Sequence, residues 1–141
     1  MKHGIEITII WMDQDVLEIA FRCSNECFSG QAEMYLGHDT LSEMAEALGG
    51  FPANSKDSRE FQLGAFEPNH AGGGAWMHFR CVDSAGHAVV EVKVRSEGVG
   101  DIEYVALRIP ILAADVESFL SQVRQMNKQV GATAHLQAAK S

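Results

Sequence analysis

Apolar and β-branched residues dominate the chain from Gly4 to Met12 (Ile5, Ile7, Thr8, Ile9, Ile10, Trp11), and Asp13-Gln14-Asp15 supplies turn chemistry before a second run from Val16 to Cys23. In that second run Leu17, Ile19, Phe21 and Cys23 alternate with Glu18, Ala20 and Arg22, the pattern of a half-buried antiparallel strand. Ser24-Asn25-Glu26 turns the chain, and Phe28, Ala32, Met34 and Leu36 then share one face of a third strand, with Cys27, Ser29, Gln31, Glu33 and Tyr35 on the other. A helix follows at His38-Asp39-Thr40. Thr40 and Glu43 have capping-box spacing, and Leu41, Met44, Ala45 and Leu48 recur at helical intervals until Gly49-Gly50 and Pro52.

The second half repeats the theme with one more strand. Glu60 to Phe66 reads as a short strand, and Trp76 to Val82 turns through Asp83-Ser84-Ala85-Gly86 into Ala88 to Arg95, where Ala88, Val90, Val92 and Val94 mark one face. Ile102 to Ile109 is the last predicted strand. Beyond Pro110, Leu112, Val116, Phe119, Leu120, Val123, Met126 and Val130 mark the apolar face of a second helix that Gly131 should stop. The pattern therefore predicts α+β architecture, βββα then ββββα: a curved, mostly antiparallel sheet of about six to seven strands with two helices packed on one face. It predicts one domain over residues 1–132 and a frayed tail over 133–141. Phe21-Arg22-Cys23 recurs as Phe79-Arg80-Cys81, which raises an internal pseudo-duplication with a central groove as its natural binding place.

Composition narrows the function. The 141 residues are 46% hydrophobic and 21% charged, as expected of one ordinary globular domain. No apolar run is long enough for a membrane span and no signal-peptide core follows Met1, so a cytoplasmic protein is expected. The net charge of −8 argues against nucleic acid and anionic membrane as partners, whose phosphates require clustered bases. That charge resides wholly in residues 1–70, where twelve acids face four bases. An acidic surface on the first half would steer a basic protein partner.

Candidate chemistry is sparse. Cys23 and Cys27 flank one turn and Cys81 lies far away, a spacing unlike paired structural zinc ligands, so three buried small hydrophobes are the simpler reading and no metal is expected. Gly72-Gly73-Gly74 leads into a strand and lacks the Lys-Ser/Thr of a phosphate loop, so it reads as a mobile loop. No cofactor motif, nucleophile elbow or H-E-x-x-H occurs. Two site hypotheses follow. The first is a protein-docking surface of Trp11, Asp13, Asp15, Tyr35, Asp39, Glu43 and Glu46, with Trp11 or Tyr35 as aromatic anchor. The second is a small-ligand or enzymatic pocket roofed by the glycine loop and built from His70, Trp76, His78 and His87. Self-association through an edge strand or an uncovered sheet face is a third route to function.

The F-x-G-x-x-E-x-Y segment from Phe28 to Tyr35, the L-x-x-x-A-x-x-L helix from Leu41 to Leu48, and Gly86-His87 before Val90, Val92 and Val94 together resemble a family of small bacterial α+β domains of unknown function. In size and acidity such domains are similar to the immunity proteins that neutralise secreted bacterial toxins. The resemblance implies a non-enzymatic, immunity-like binding module and transfers no individual site residue.

Overall fold

The computed structural model describes residues 2–67, 72–97, 101–126 and 128–140. Three strands, β1 (Gly4–Met12), β2 (Val16–Ser24) and β3 (Ser29–Gly37), lead into helix α1 (Thr40–Leu48) and strand β4 (Ser58–Gly64). Then come β5 (Gly74–Cys81), β6 (His87–Ser96), β7 (Glu103–Leu112), helix α2 (Ala113–Arg124) and β8 (Thr133–Gln137). The α+β class and antiparallel pairing agree with the alternation in the sequence. The strands number eight and divide into two four-stranded antiparallel sheets, ordered β3-β2-β1-β8 and β4-β5-β6-β7.

This order is a βββαβ unit used twice, with the last strand of each unit exchanged. β4 leaves the first unit to pair with β5, and β8 leaves the second to pair with β1. The units superimpose in sequence on their buried positions. Leu41, Met44, Ala45 and Leu48 of α1 have Val116, Phe119, Leu120 and Val123 of α2 as counterparts, each 75 positions on. In the sheets Ile5, Ile7 and Ile9 correspond to Ala75, Met77 and Phe79, and Leu63 of β4 to Leu136 of β8. Phe21-Arg22-Cys23 lies on β2, whereas Phe79-Arg80-Cys81 lies on β5, the counterpart of β1. The tripeptide therefore does not mark the repeat of the unit; the shared burial pattern does.

The inner faces of both sheets and the apolar stripes of both helices form one core. Burying such aliphatic side chains stabilises by roughly 1.5–3 kcal/mol each relative to exposure. The exchanged strands bind the halves together because Ala134 and Leu136 fill the first sheet's inner face while Leu63 fills the second's. Tight backbone approach at each exchange requires glycine. A Cβ on Gly4, whose φ is +131°, would collide with the carbonyl oxygen of Leu136, and one on its counterpart Gly74 would collide with that of Ala65.

Three expectations change at the element ends. No capping box forms at α1: Asp39 is the N-cap, without a side-chain cap hydrogen bond, and its carbonyl accepts from the Glu43 N–H. At the other end of α1 the carbonyls of Ala47 and Gly49 accept from Arg59 of β4, a cation where the helix dipole favours one. Helix α2 stops at Arg124 rather than Val130, which is exposed, because the chain reverses through Lys128 (φ 52°) to bring Gly131 N–H onto the Ile9 carbonyl. Residues 133–137, expected as frayed tail, form β8. Its alternation is too short to announce itself, and the open edge of β1 holds it in place.

Candidate functional site

Both helices lie on the core side, and among the described residues no helix or strand covers the outer face of the first sheet. Strand register arranges that face in rows. Trp11, Glu18 and Tyr35 form one, Thr8, Ala20 and Glu33 the next, and Glu6, Arg22 and Gln31 the third. Strict alternation would turn Trp11 inward beside Ile5, Ile7 and Ile9. A bulge at Ile10 shifts the register between Ile9 and Trp11, so Trp11 swings to the outside and Met12 takes the inward position. Trp11 and Tyr35 stand 45% and 49% exposed and meet edge to face, with ring centroids 6.3 Å apart.

Below this pair the face hollows into a groove of about 510 Å³ lined by Glu18, Ala20, Arg22, Glu33 and Tyr35, with Gly72, Ser96 and Glu97 as its far wall. The small Ala20 between long neighbours creates the depth. Arg22 is engaged by Glu6 at 3.2 Å and by Gln31 at 3.3 Å, whereas Glu18 and Glu33 face the hollow together. Partial burial, then the neighbouring Glu33 charge, hold the Glu18 carboxyl above the ordinary carboxylate range. The groove thus offers two adjacent carboxylates beside an exposed aromatic pair, which suits a cationic, partly apolar surface.

The other acidic candidates gather around one end of the same sheet. Asp13 accepts from the Val16 and Asp15 N–H groups at 2.9 and 2.8 Å, and these two bonds keep its pKa below the usual value. His38 donates to the Asp13 carbonyl at 2.7 Å and ties the hairpin tip to the start of α1, where Asp39 lies 3.7 Å from Lys128. Asp15 is exposed beside Asp13, and Glu43 and Glu46 occupy the solvent side of α1. Asp13, Asp15 and Asp39 therefore adjoin the Trp11–Tyr35 row, while Glu43 and Glu46 extend the acidity along the helix. Phe28, expected on the core side of β3, sits in the β2–β3 turn at 62% exposure.

The histidine pocket is not assembled. His70 lies outside the described residues. His78 stacks on Trp76 (5.7 Å), over which Lys93 places its ammonium at 5.0 Å, all on the outer face of the second sheet. His87 is four strand positions away by register, about 13 Å, and bonds to Asp83 at 2.8 Å in its own turn. Gly72 and Gly73 do not roof the histidines. They pack against β3, where the Gly73 N–H reaches the Glu33 carbonyl at 2.9 Å and an added Cβ would strike the Arg95 carbonyl oxygen. Their composition is explained by close packing rather than mobility. The buried Arg95 guanidinium holds this turn through the Ala65 and Gly72 carbonyls and reaches Glu97.

The cysteines are all free and dispersed. Cys23 is buried, which pushes its thiol up to about 11, partly offset by a backbone hydrogen bond from Gly30, and the thiol itself lies 3.7 Å from the Gly30 carbonyl. Cys27 is exposed in the β2–β3 turn, and the Cys81 thiol lies 3.7 Å from the Asn54 carbonyl. Among the described residues no cluster of His, Cys, Asp or Glu could hold a metal ion, and no helix is long and apolar enough to cross a membrane.

Fold and surface together define an α+β protein of two strand-exchanged βββαβ units with one open aromatic–carboxylate sheet face. Comparison with protein-family models, curated proteins and solved structures finds no match for the chain.

Proposed function

We propose that the protein is a non-catalytic binding module that docks a basic protein partner on the outer face of its first sheet. One observation carries this reading: the exposed Trp11–Tyr35 pair shares a row with Glu18 and borders a groove into which Glu18 and Glu33 both face. Aromatic side chains bring large contact area at little entropic cost, and flanking carboxylates favour Arg and Lys on the incoming surface. Asp13, Asp15 and Asp39 at the sheet end, with Glu43 and Glu46 along α1, widen the acidic field that would steer such a partner. An immunity-like role, in which the partner is a basic toxin, fits the same surface. The rival pocket reading is weaker, because His78 and His87 are engaged separately.

Affinity capture from an extract of the source organism tests the proposal. The expected result is a basic protein retained at low salt, released as salt screens the contact, and absent with the Trp11→Ala/Tyr35→Ala double variant. Retention of the same partner by the double variant, or release independent of salt, contradicts it.

A further inference from the structure

Two four-stranded sheets present four edges, and the repeat of the βββαβ unit allows them to be compared in pairs. On β8 the N–H and carbonyl of His135 point away from β1, and both are taken by the Gln122 side chain of α2, at 2.9 and 3.3 Å. On β3 the outward Glu33 carbonyl is taken by Gly73, and the chain at Gly72 and Gly73 lies against the strand. On β7 the outward carbonyls of Arg108 and Pro110 accept from Asn25 (2.7 Å) and Ala139 (2.8 Å), and Pro110 has no N–H to offer.

β4 carries no such device among the described residues. Its pairing with β5 leaves the backbone groups of Ser58, Glu60, Gln62 and Gly64 pointing outward. The position of α1 equivalent to Gln122 is Ala47, which has no amide to give. Among the described residues no hydrogen bond from another element reaches the outward groups of Glu60 or Gln62; the Gln62 side chain donates to its own strand's Gly64 carbonyl at 3.3 Å. The strand has neither Lys nor Pro to discourage pairing.

We infer that β4 is a dimerisation edge that pairs antiparallel with β4 of a second copy of this chain, joining two four-stranded sheets into one of eight. The strand's own sequence argues for a second copy as occupant. A twofold axis through Phe61 sets Glu60 opposite Gln62 of the second copy and Ser58 opposite its Gly64, so all four outward residues are used. Centring on Glu60 instead would oppose like charges. Phe61 is half-buried and packs on the core side, so in the Phe61-centred register it meets its own copy and the core continues across the axis. An isologous strand pair of this length makes a modest interface, so a reversible, concentration-dependent dimer is expected.

Sedimentation of the full chain from micromolar to millimolar concentration, with amide exchange of residues 58–64 followed in parallel, tests this. The expected result is a monomer–dimer equilibrium in which the Glu60 and Gln62 amides become at least about tenfold more protected as dimer forms, with no matching change on β3, β7 or β8. Gln62→Pro should weaken association at least about tenfold at unchanged circular dichroism. Ala47→Gln is the second variant should the proline disturb folding, and an amide there should compete for the edge as Gln122 does on β8. In a Cys27→Ser background, Phe61→Cys should give an oxidised dimer and Ser58→Cys should not. A monomer at every concentration, a dimer protected at another edge, or a dimer indifferent to both edge variants would overturn the inference.

Discussion

The two βββαβ units agree where they are buried and part company where they are not. Leu41, Met44, Ala45 and Leu48 match Val116, Phe119, Leu120 and Val123 position for position, and Gly4 matches Gly74 at each strand exchange. Outside, the first sheet presents Trp11, Tyr35, Glu18 and Glu33, whereas the second presents Trp76 stacked on His78 under Lys93, with Arg80 held by Glu91 at 3.2 Å. Even the buried polar residues are counterparts that diverged: Ser24 and Arg95 occupy equivalent places opposite Gly4 and Gly74, and only the arginine braces a neighbouring turn. The difference teaches that packing fixes the framework while the faces and edges remain free to specialise. Gly30 and Val105 show how one such divergence is forced. They are counterparts that meet each other, and a Cβ on Gly30 would overlap the Val105 side chain, so one of the two must be small.

The largest break in this symmetry should come from removing an exchanged strand. A chain ending at residue 131 loses Ala134 and Leu136 from the first core and opens the β1 edge, and we expect no cooperative thermal transition by circular dichroism. Gly4→Ala and Gly74→Ala should each cost about 3 kcal/mol, since each meets a backbone carbonyl of an exchanged strand; unequal costs in urea melts would show that the exchanges are not equivalent. Gln122→Ala should cost about 1–2 kcal/mol by leaving the His135 edge groups unpaired, while Ala47→Gln, its mirror substitution, should leave stability within about 0.5 kcal/mol.

Smaller effects follow from the carboxylates. The backbone N–H groups of Val16 and Asp15 lower the pKa of Asp13, the Arg59 hydrogen bond lowers that of Asp57, and the Ala85 N–H lowers that of Asp83. A depressed folded-state pKa contributes stability above the unfolded value near 3.8 that is lost as pH falls through the folded one, so stability should decline below about pH 4. Glu18 has the opposite sign, its stabilising protonated form being lost as pH rises through a raised pKa. Glu18→Gln should therefore raise the melting temperature at pH 7 by on the order of 1 °C and gain nothing near pH 3, while weakening partner capture.

Much of this architecture could be read from alternation. Leu17, Ile19, Phe21 and Cys23 inward, Glu18 and Arg22 outward, and the helical spacing from Leu41 to Leu48 all follow from side-chain direction, which is local. The strand exchange could not be read, because pairing of β4 with β5 and of β8 with β1 is a choice among edges made by tertiary packing. Thr133–Gln137 has only two apolar positions, and α2 stops early because its chain must return to Ile9, 115 residues earlier than Arg124. In the site, Trp11 and Tyr35 were visible as residues but not as a pair. The bulge at Ile10 that turns Trp11 outward carries no sequence marker such as glycine. Glu18 and Glu33 fall on the polar faces of β2 and β3, and only the register makes them diagonal neighbours, Glu33 opposite Ala20 and Glu18 one row away.

The most direct measurement compares the two outer faces in one capture experiment, using the Trp11→Ala/Tyr35→Ala variant of the first sheet and the Trp76→Ala/Tyr104→Ala variant of the second, where Tyr104 stands exposed on β7 opposite Arg95 of β6. Loss of the basic partner from the first variant and its full retention by the second is the predicted result. Loss from the second variant with retention by the first would contradict the assignment of the docking face.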